Sequence, residues 1–370
     1  MRNFAVINLH TFLSHFHPAM IKNFIKDNFI RPADTTADTA AKPRIKYIDL
    51  AKGIVIMMVV MFHNNLFTDV PSLTAARMPL YFVLSGLFFK SYGGFFEFLF
   101  KKVNNILIPF LFFALIGFVW ATGVDNLKVS YVASTVWHRP YIHNVAIWFL
   151  ICLFQVNLIF YLIHRYCPAL YLRIAAVTAC GVAGYMLHRS GIYIPLFVAS
   201  ALSAVPFFYF GMLARRLLLN LTASTRATLG IALLLLAEGF IFSWLRDTPS
   251  IEFRINNYHG ANPIEIYLNS LVMVTGLLLL CRAIVWLPIV SYFGRYSIIV
   301  LGFHMPVMAA LRSVMPSLID HTLSNVETAL LTLLICWLLI PLCRRFIPVL
   351  TAQSPLVDPR RRRQQAVGQC

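Results

Sequence analysis

The sequence predicts an all-α fold: a polytopic membrane bundle of about ten transmembrane helices with both termini in the cytoplasm. Three observations predict it. Of 370 residues, 59% are hydrophobic and only 12% charged, with a mean hydropathy of +0.74; soluble domains carry about 25% charged residues. Apolar windows recur at about the 17–25 residues a helix needs to cross ~30 Å of hydrocarbon. The 31 Lys and Arg fall unevenly between alternate connecting segments, as orientation in a membrane requires.

Residues 1–43 precede the first window. Residues 1–30 mix apolar side chains with His10, His15, His17, Lys22 and Lys26, too interrupted for a signal-peptide core. They read as an amphipathic surface helix or a disordered segment, joined by the polar linker PADTTADTAAKP. The windows then run 47–67, 79–90 (short), 103–122, 145–164, 171–188, 194–213, 227–244, 264–284, 291–311 and 328–346. Helices are expected because lipid offers the backbone no hydrogen-bond partners and alternating ten-residue segments are absent. The membrane domain is taken as 44–348. The basic tail 349–370, PRRRR included, reads as an anchor at an anionic inner leaflet.

With ten spans, 23 of the Lys and Arg lie on the side of the termini and seven on the other. The net charge of +17 therefore reads as positive-inside topology rather than nucleic-acid binding. None of the seven cysteines falls in an outer loop, so no extracytoplasmic disulfide is expected. No Cys/His spacing of a metal site is present. No internal repeat is visible either, which weighs against a transporter built from two related halves.

Chemistry concentrates in two stretches. In IDLAKGIVIMMVVMFHNN, Lys52 and His63 are eleven residues apart, three turns of helix, so they share one stripe and lie ~16 Å apart along the axis. Ionisable groups in such a helix face the bundle interior or a wet cavity. Lys52 also suits a snorkelling lysine paired with Asp49. His63 suits a general base or an acyl carrier. In SYFGRYSIIVLGFHMP, Arg295 enters a span and His304 follows nine residues later, suggesting a polar interior shared with the first helix. Lys101 and Lys102, beside a cytoplasmic turn, set topology or hold phosphates. Ser85-Gly86 permits close helix packing. The outer loops carry WHRPYIHN and NNYHGANP, where Trp137, His138, Tyr258, His259 and Asn262 suit stacking on and hydrogen bonding to a sugar, or interfacial belts and turns.

These stretches resemble the integral-membrane acyltransferase-3 family. RIKYIDLAKGIVIMMVVMFHNN is similar to its first-helix signature of basic lead, Asp, Arg or Lys with Gly, and His. RMPLYFVLSGLFFK, VAIWFL, VPFFYFGML and FGRYSIIVLGFHMPV follow in the family's order. NNYHGANPIEIYLNSLVMVTGLLLL resembles its sugar O-acetyltransferase branch (exopolysaccharide and fucose O-acetylases). The resemblance spans about 44–348. It implies a ten-helix bundle in a bacterial inner membrane. Such a bundle moves an acyl group, acetyl or succinyl, from cytoplasmic acyl-CoA to a hydroxyl of a polysaccharide or its lipid-linked precursor. By position, His63 is the family's essential histidine and Lys52 stands where many members have Arg. The family's Arg-Arg-x-x-Arg cluster is KKVNN here, so Lys101 and Lys102 keep the charge without the bidentate fork.

The expectations are therefore a catalytic His63, and acetyl-CoA held by Lys52, Lys101, Lys102 and Arg295. An acceptor glycan would lie against Trp137, His138, Tyr258, His259, Asn262 and His304; membrane lipid is a further partner, and no nucleic acid or metal is expected. A sugar or lipid transporter or flippase, and a non-catalytic scaffold, are the competing classes.

Overall fold

The computed structural model describes residues 45–67, 72–122, 144–192, 194–220, 223–246, 249–260, 262–315 and 323–356. The expectations for residues 1–43, for Trp137 and His138, and for most of the basic tail lie outside these. The described chain is helical apart from one short hairpin.

The helices are α1 (Lys46–His63), α2 (Ser72–Leu87), α3 (Phe95–Lys102), α4 (Ile108–Thr122), α5 (Trp148–Tyr166) and α6 (Leu170–Arg189). After them come α7 (Val198–Leu219), α8 (Thr225–Leu245), α9 (Pro263–Ile284), α10 (Pro288–Arg295), α11 (Ser297–Val314) and α12 (Asn325–Phe346). A π-turn at Val103–Leu107 joins α3 to α4. Strands β1 (Ser250–Glu252) and β2 (Asn257–His259) pair antiparallel between α8 and α9, Ile251 opposite Tyr258.

Among the described residues, eight helices are long and apolar enough to cross a membrane. The other two predicted spans are helices of a different kind. The first, α1, carries Lys46, Asp49 and Lys52, and the second, α2, has only 16 residues. Both are packed into the centre: Leu50, Val55 and Val60 of α1 and Leu80, Phe82 and Val83 of α2 are fully buried. By contrast, α6 and α8 turn most of their apolar surface outward, as helices facing lipid do.

Close helix approach rests on small residues. A methyl group on Gly53 of α1 would overlap the Val290 carbonyl of α10, and one on Gly294 of α10 would overlap the Asp49 carbonyl of α1. The same reciprocity joins α2 to α7, through Gly86 against Phe208 and Gly211 against Val83. Backbones in such contact gain dispersion that lipid cannot replace. The close-packing role expected of Gly86 is thus observed.

Two boundaries depart from the sequence reading. The second helix begins at Ser72, not at residue 79, because Pro79 sits inside it. Neighbouring helices re-satisfy a backbone that proline interrupts, so proline does not end a membrane helix as it would a soluble one. The predicted span 291–311 is two helices, broken at Tyr296 (φ −114°, ψ 29°). Arg295 is therefore exposed at a helix end rather than held inside a span.

Candidate functional site

Two cavities enter the bundle from opposite ends of α1. The first, about 240 Å³, is lined by Lys52 and Ile56 of α1, Tyr81, Leu84 and Ser85 of α2, Lys102 of α3, Phe149, Leu150 and Leu153 of α5, and Ser297, Ile298 and Leu301 of α11. The second, about 420 Å³, is lined by Val59, Phe62 and His63 of α1, Thr74, Arg77 and Met78 of α2, Trp148 of α5 and Leu301 of α11. The hairpin residues Ser250 to Arg254, with His259, close it. The same four helices, α1, α2, α5 and α11, thus wall both cavities. Among the described residues only Leu301 faces both.

At the second cavity His63 lies at the last turn of α1, half-buried. Its ring stands 5.3 Å, centroid to centroid, from that of His304, which is completely buried. His304 Nδ1 lies 3.0 Å from the Val300 carbonyl one turn back on α11. A carbonyl only accepts, so Nδ1 carries the proton and Nε2 keeps its lone pair. That Nε2 is buried with no partner among the described residues. The arrangement places a lone-pair acceptor beside the imidazole that the sequence singled out.

Pro306, two residues past His304, fixes this region. Having no N–H, it leaves the Gly302 carbonyl free in α11. Asn144, buried at the entry to α5, donates its side-chain amide to that carbonyl at 2.7 Å. Replacing a lost helical bond from a neighbouring element is how membrane helices tolerate proline.

The hairpin closes the second cavity because its turn is tied to α6 and α7. Asn256, with φ 51°, adopts the left-handed conformation that asparagine tolerates. Its amide donates to the Gly184 carbonyl at 2.8 Å and accepts from Ser203 at 2.7 Å. Ser200 donates to the Phe253 carbonyl. The Phe253 ring packs 5.3 Å from Phe82 and 5.9 Å from Phe207. Aromatic contacts of this kind contribute about 0.5–1.5 kcal/mol each.

The predicted site residues divide accordingly. His63 and His259 share the second cavity, and His304 stands directly behind His63. Lys52 and Lys102 share the first. Lys101 lies 4.5 Å above the Tyr92 ring, and Arg295 lies 5.3 Å from the Tyr296 ring; neither lines that cavity. Tyr258 turns inward, donating to Ser203 at 2.8 Å. Burial raises its phenol above the ordinary value of 10.0, so it stays a proton donor. Asn262 caps α9, accepting from the Glu265 amide at 3.0 Å. Tyr258 and Asn262 therefore hold the hairpin and helix that frame the cavity.

Two arginines complete the second cavity without having been singled out. Arg77 stacks 3.8 Å over the Phe62 ring, next in chain to His63, an arrangement worth up to about 2 kcal/mol when desolvated. Arg254, in the hairpin turn, lies 3.6 Å from Glu252. Arg77 lies outside the predicted span 79–90 and joins the cavity because α2 begins at Ser72. For Arg254 no sequence signal separates it from an ordinary loop arginine.

Comparison with known families bears directly on this geometry. The model of an acyltransferase domain matches residues 45–343, which takes in all four cavity-forming helices and the hairpin. The chain belongs to the acyltransferase-3 family. No curated protein and no solved structure matches it. As an acyltransferase-3 member with multiple membrane-grade helices, the chain is a multi-pass membrane acyltransferase. Within the matched region, half-buried His63, buried His304, Arg77 and Arg254 gather at one end of α1, and Lys52 and Lys102 line the cavity at the other.

Proposed function

We propose that this acyltransferase moves an acetyl group from cytoplasmic acetyl-CoA to a hydroxyl of an envelope or secreted polysaccharide, or of its lipid-linked precursor, across a bacterial inner membrane. The observation that carries the reading is the pair of cavities on one set of helices, with Lys52 and Lys102 in one and His63 in the other. Ten helices cross in this reading: the eight apolar ones together with α1 and α2. Both termini, and the Lys52 cavity, face the cytoplasm, in keeping with the distribution of Lys and Arg.

Lys52 and Lys102 offer ammonium groups to the CoA phosphates, and the pantetheine arm runs along the α1 stripe. The ~16 Å from Lys52 to His63 matches the reach of such an arm. His63 takes the proton of the acceptor hydroxyl as its oxygen attacks the thioester carbonyl. The new C–O bond forms, the C–S bond breaks, and the departing thiolate receives the proton from His63. The His304 lone pair, partnerless in the resting arrangement, accepts the second N–H of the imidazolium that forms on His63 and so favours it. Arg77 supplies donors for the negative charge developing on the carbonyl oxygen. Arg254 and His259 face the acceptor at the mouth.

The test is ester-linked acyl content of envelope glycans, by mass spectrometry, in a deletion strain complemented with wild type or with His63→Ala. Restoration by wild type alone, at equal protein level, is expected and identifies the acyl group. Restoration by both would remove His63 from the chemistry.

A further inference from the structure

We propose that Leu301 is a gate that sets how large an acyl group fits beside His63. The inference rests on the acyltransferase reading above and adds to it the residue that selects the donor.

Leu301 is 6% exposed and lies on the walls of both cavities. Among the described residues it is the side chain that the Lys52 cavity and the His63 cavity share. On α1, Ile56 lines one cavity and Val59 the other, so the two cavities change over within one turn of that helix.

The gate is held in place rather than free to swing with its helix. The next residue, Gly302, has its carbonyl bonded by buried Asn144 at 2.7 Å. On its other side a methyl group at Gly302 would overlap the Phe113 ring. The backbone that carries Leu301 is thus pinned by a hydrogen bond and by a packed ring. On both sides Leu301 stands among aliphatic and aromatic side chains, Ile56 and Phe149 in one cavity and Val59 and Trp148 in the other. Such surroundings discriminate by volume, and one methylene in an apolar site is worth roughly 10–200-fold in rate. With the thioester carbonyl at His63, a two-carbon acyl group clears the isobutyl group, whereas a four-carbon one meets it. The reaction itself is unchanged: thioester to oxygen ester, with the proton passed from acceptor to thiolate.

Membranes containing the protein and their own glycans, given an equal mixture of acetyl-CoA and butyryl-CoA, provide the test, read as the ratio of butyryl to acetyl esters by mass spectrometry. Wild type is expected to favour acetyl. Leu301→Ala is expected to raise the butyryl share at least roughly tenfold, and Leu301→Val to fall between. Because the reading is a ratio within each sample, lower amounts of a less stable variant do not distort it. An unchanged ratio in both variants overturns the gate while leaving the acyltransferase reading intact. Absence of both esters with wild type overturns that reading, and the gate with it.

Discussion

Among individual residues, His63 carries the proposed chemistry. A general base contributes about 10²–10⁴-fold, so His63→Ala is expected to lower kcat by that amount without loss of protein in the membrane. His304 separates two roles. If its Nε2 steadies the His63 imidazolium, losing one hydrogen bond to a charged group of about 1.5–3 kcal/mol costs roughly 10–100-fold. His304→Ala should then depress kcat and leave the acceptor KM unchanged. A raised KM with unchanged kcat would instead place His304 against the acceptor, as the sequence suggested. Histidine and lysine positions on α1 were legible because a three-turn spacing needs no tertiary knowledge. Arg77 and Arg254 were not, since each reaches the cavity only through a helix start and a turn that the rest of the fold determines.

Individual elements show where pattern reading holds and where it stops. The apolar windows located most helices, because hydrocarbon thickness dictates their length. Pro79 was read as a boundary although the bundle absorbs it, and the break at Tyr296 lies inside the single window 291–311, beside Gly294 and Arg295. Neither is visible in periodicity. The hairpin was hidden in a polar loop, its strands only three residues long. Its anchorage makes an expectation: Tyr258→Phe should cost about 1 kcal/mol of stability and lower the detergent melting temperature while His63 chemistry persists. The helix contacts make another. Gly53→Ala or Gly86→Ala inserts a methyl into a facing carbonyl and is expected to cost about 1–3 kcal/mol or more. Gly230→Ala, with open space at its Cβ, should be neutral or stabilising by up to about 1 kcal/mol. Thermal denaturation of the three variants in one detergent checks the contrast.

In the proposed reaction the whole bundle takes its donor from the Lys52 end and its acceptor from the His63 end. Charge distribution along the sequence already implied two unlike faces; that the two cavities share four helices and meet at a single leucine required the fold. The most direct measurement reconstitutes the protein in liposomes of one orientation, with radiolabelled acetyl-CoA and the glycan acceptor on chosen sides. Labelled ester should form when acetyl-CoA is on the Lys52 side and the acceptor on the other, and should vanish when acetyl-CoA is confined to the His63 side. Equal labelling in both arrangements, through sealed membranes, would contradict transfer across the bundle.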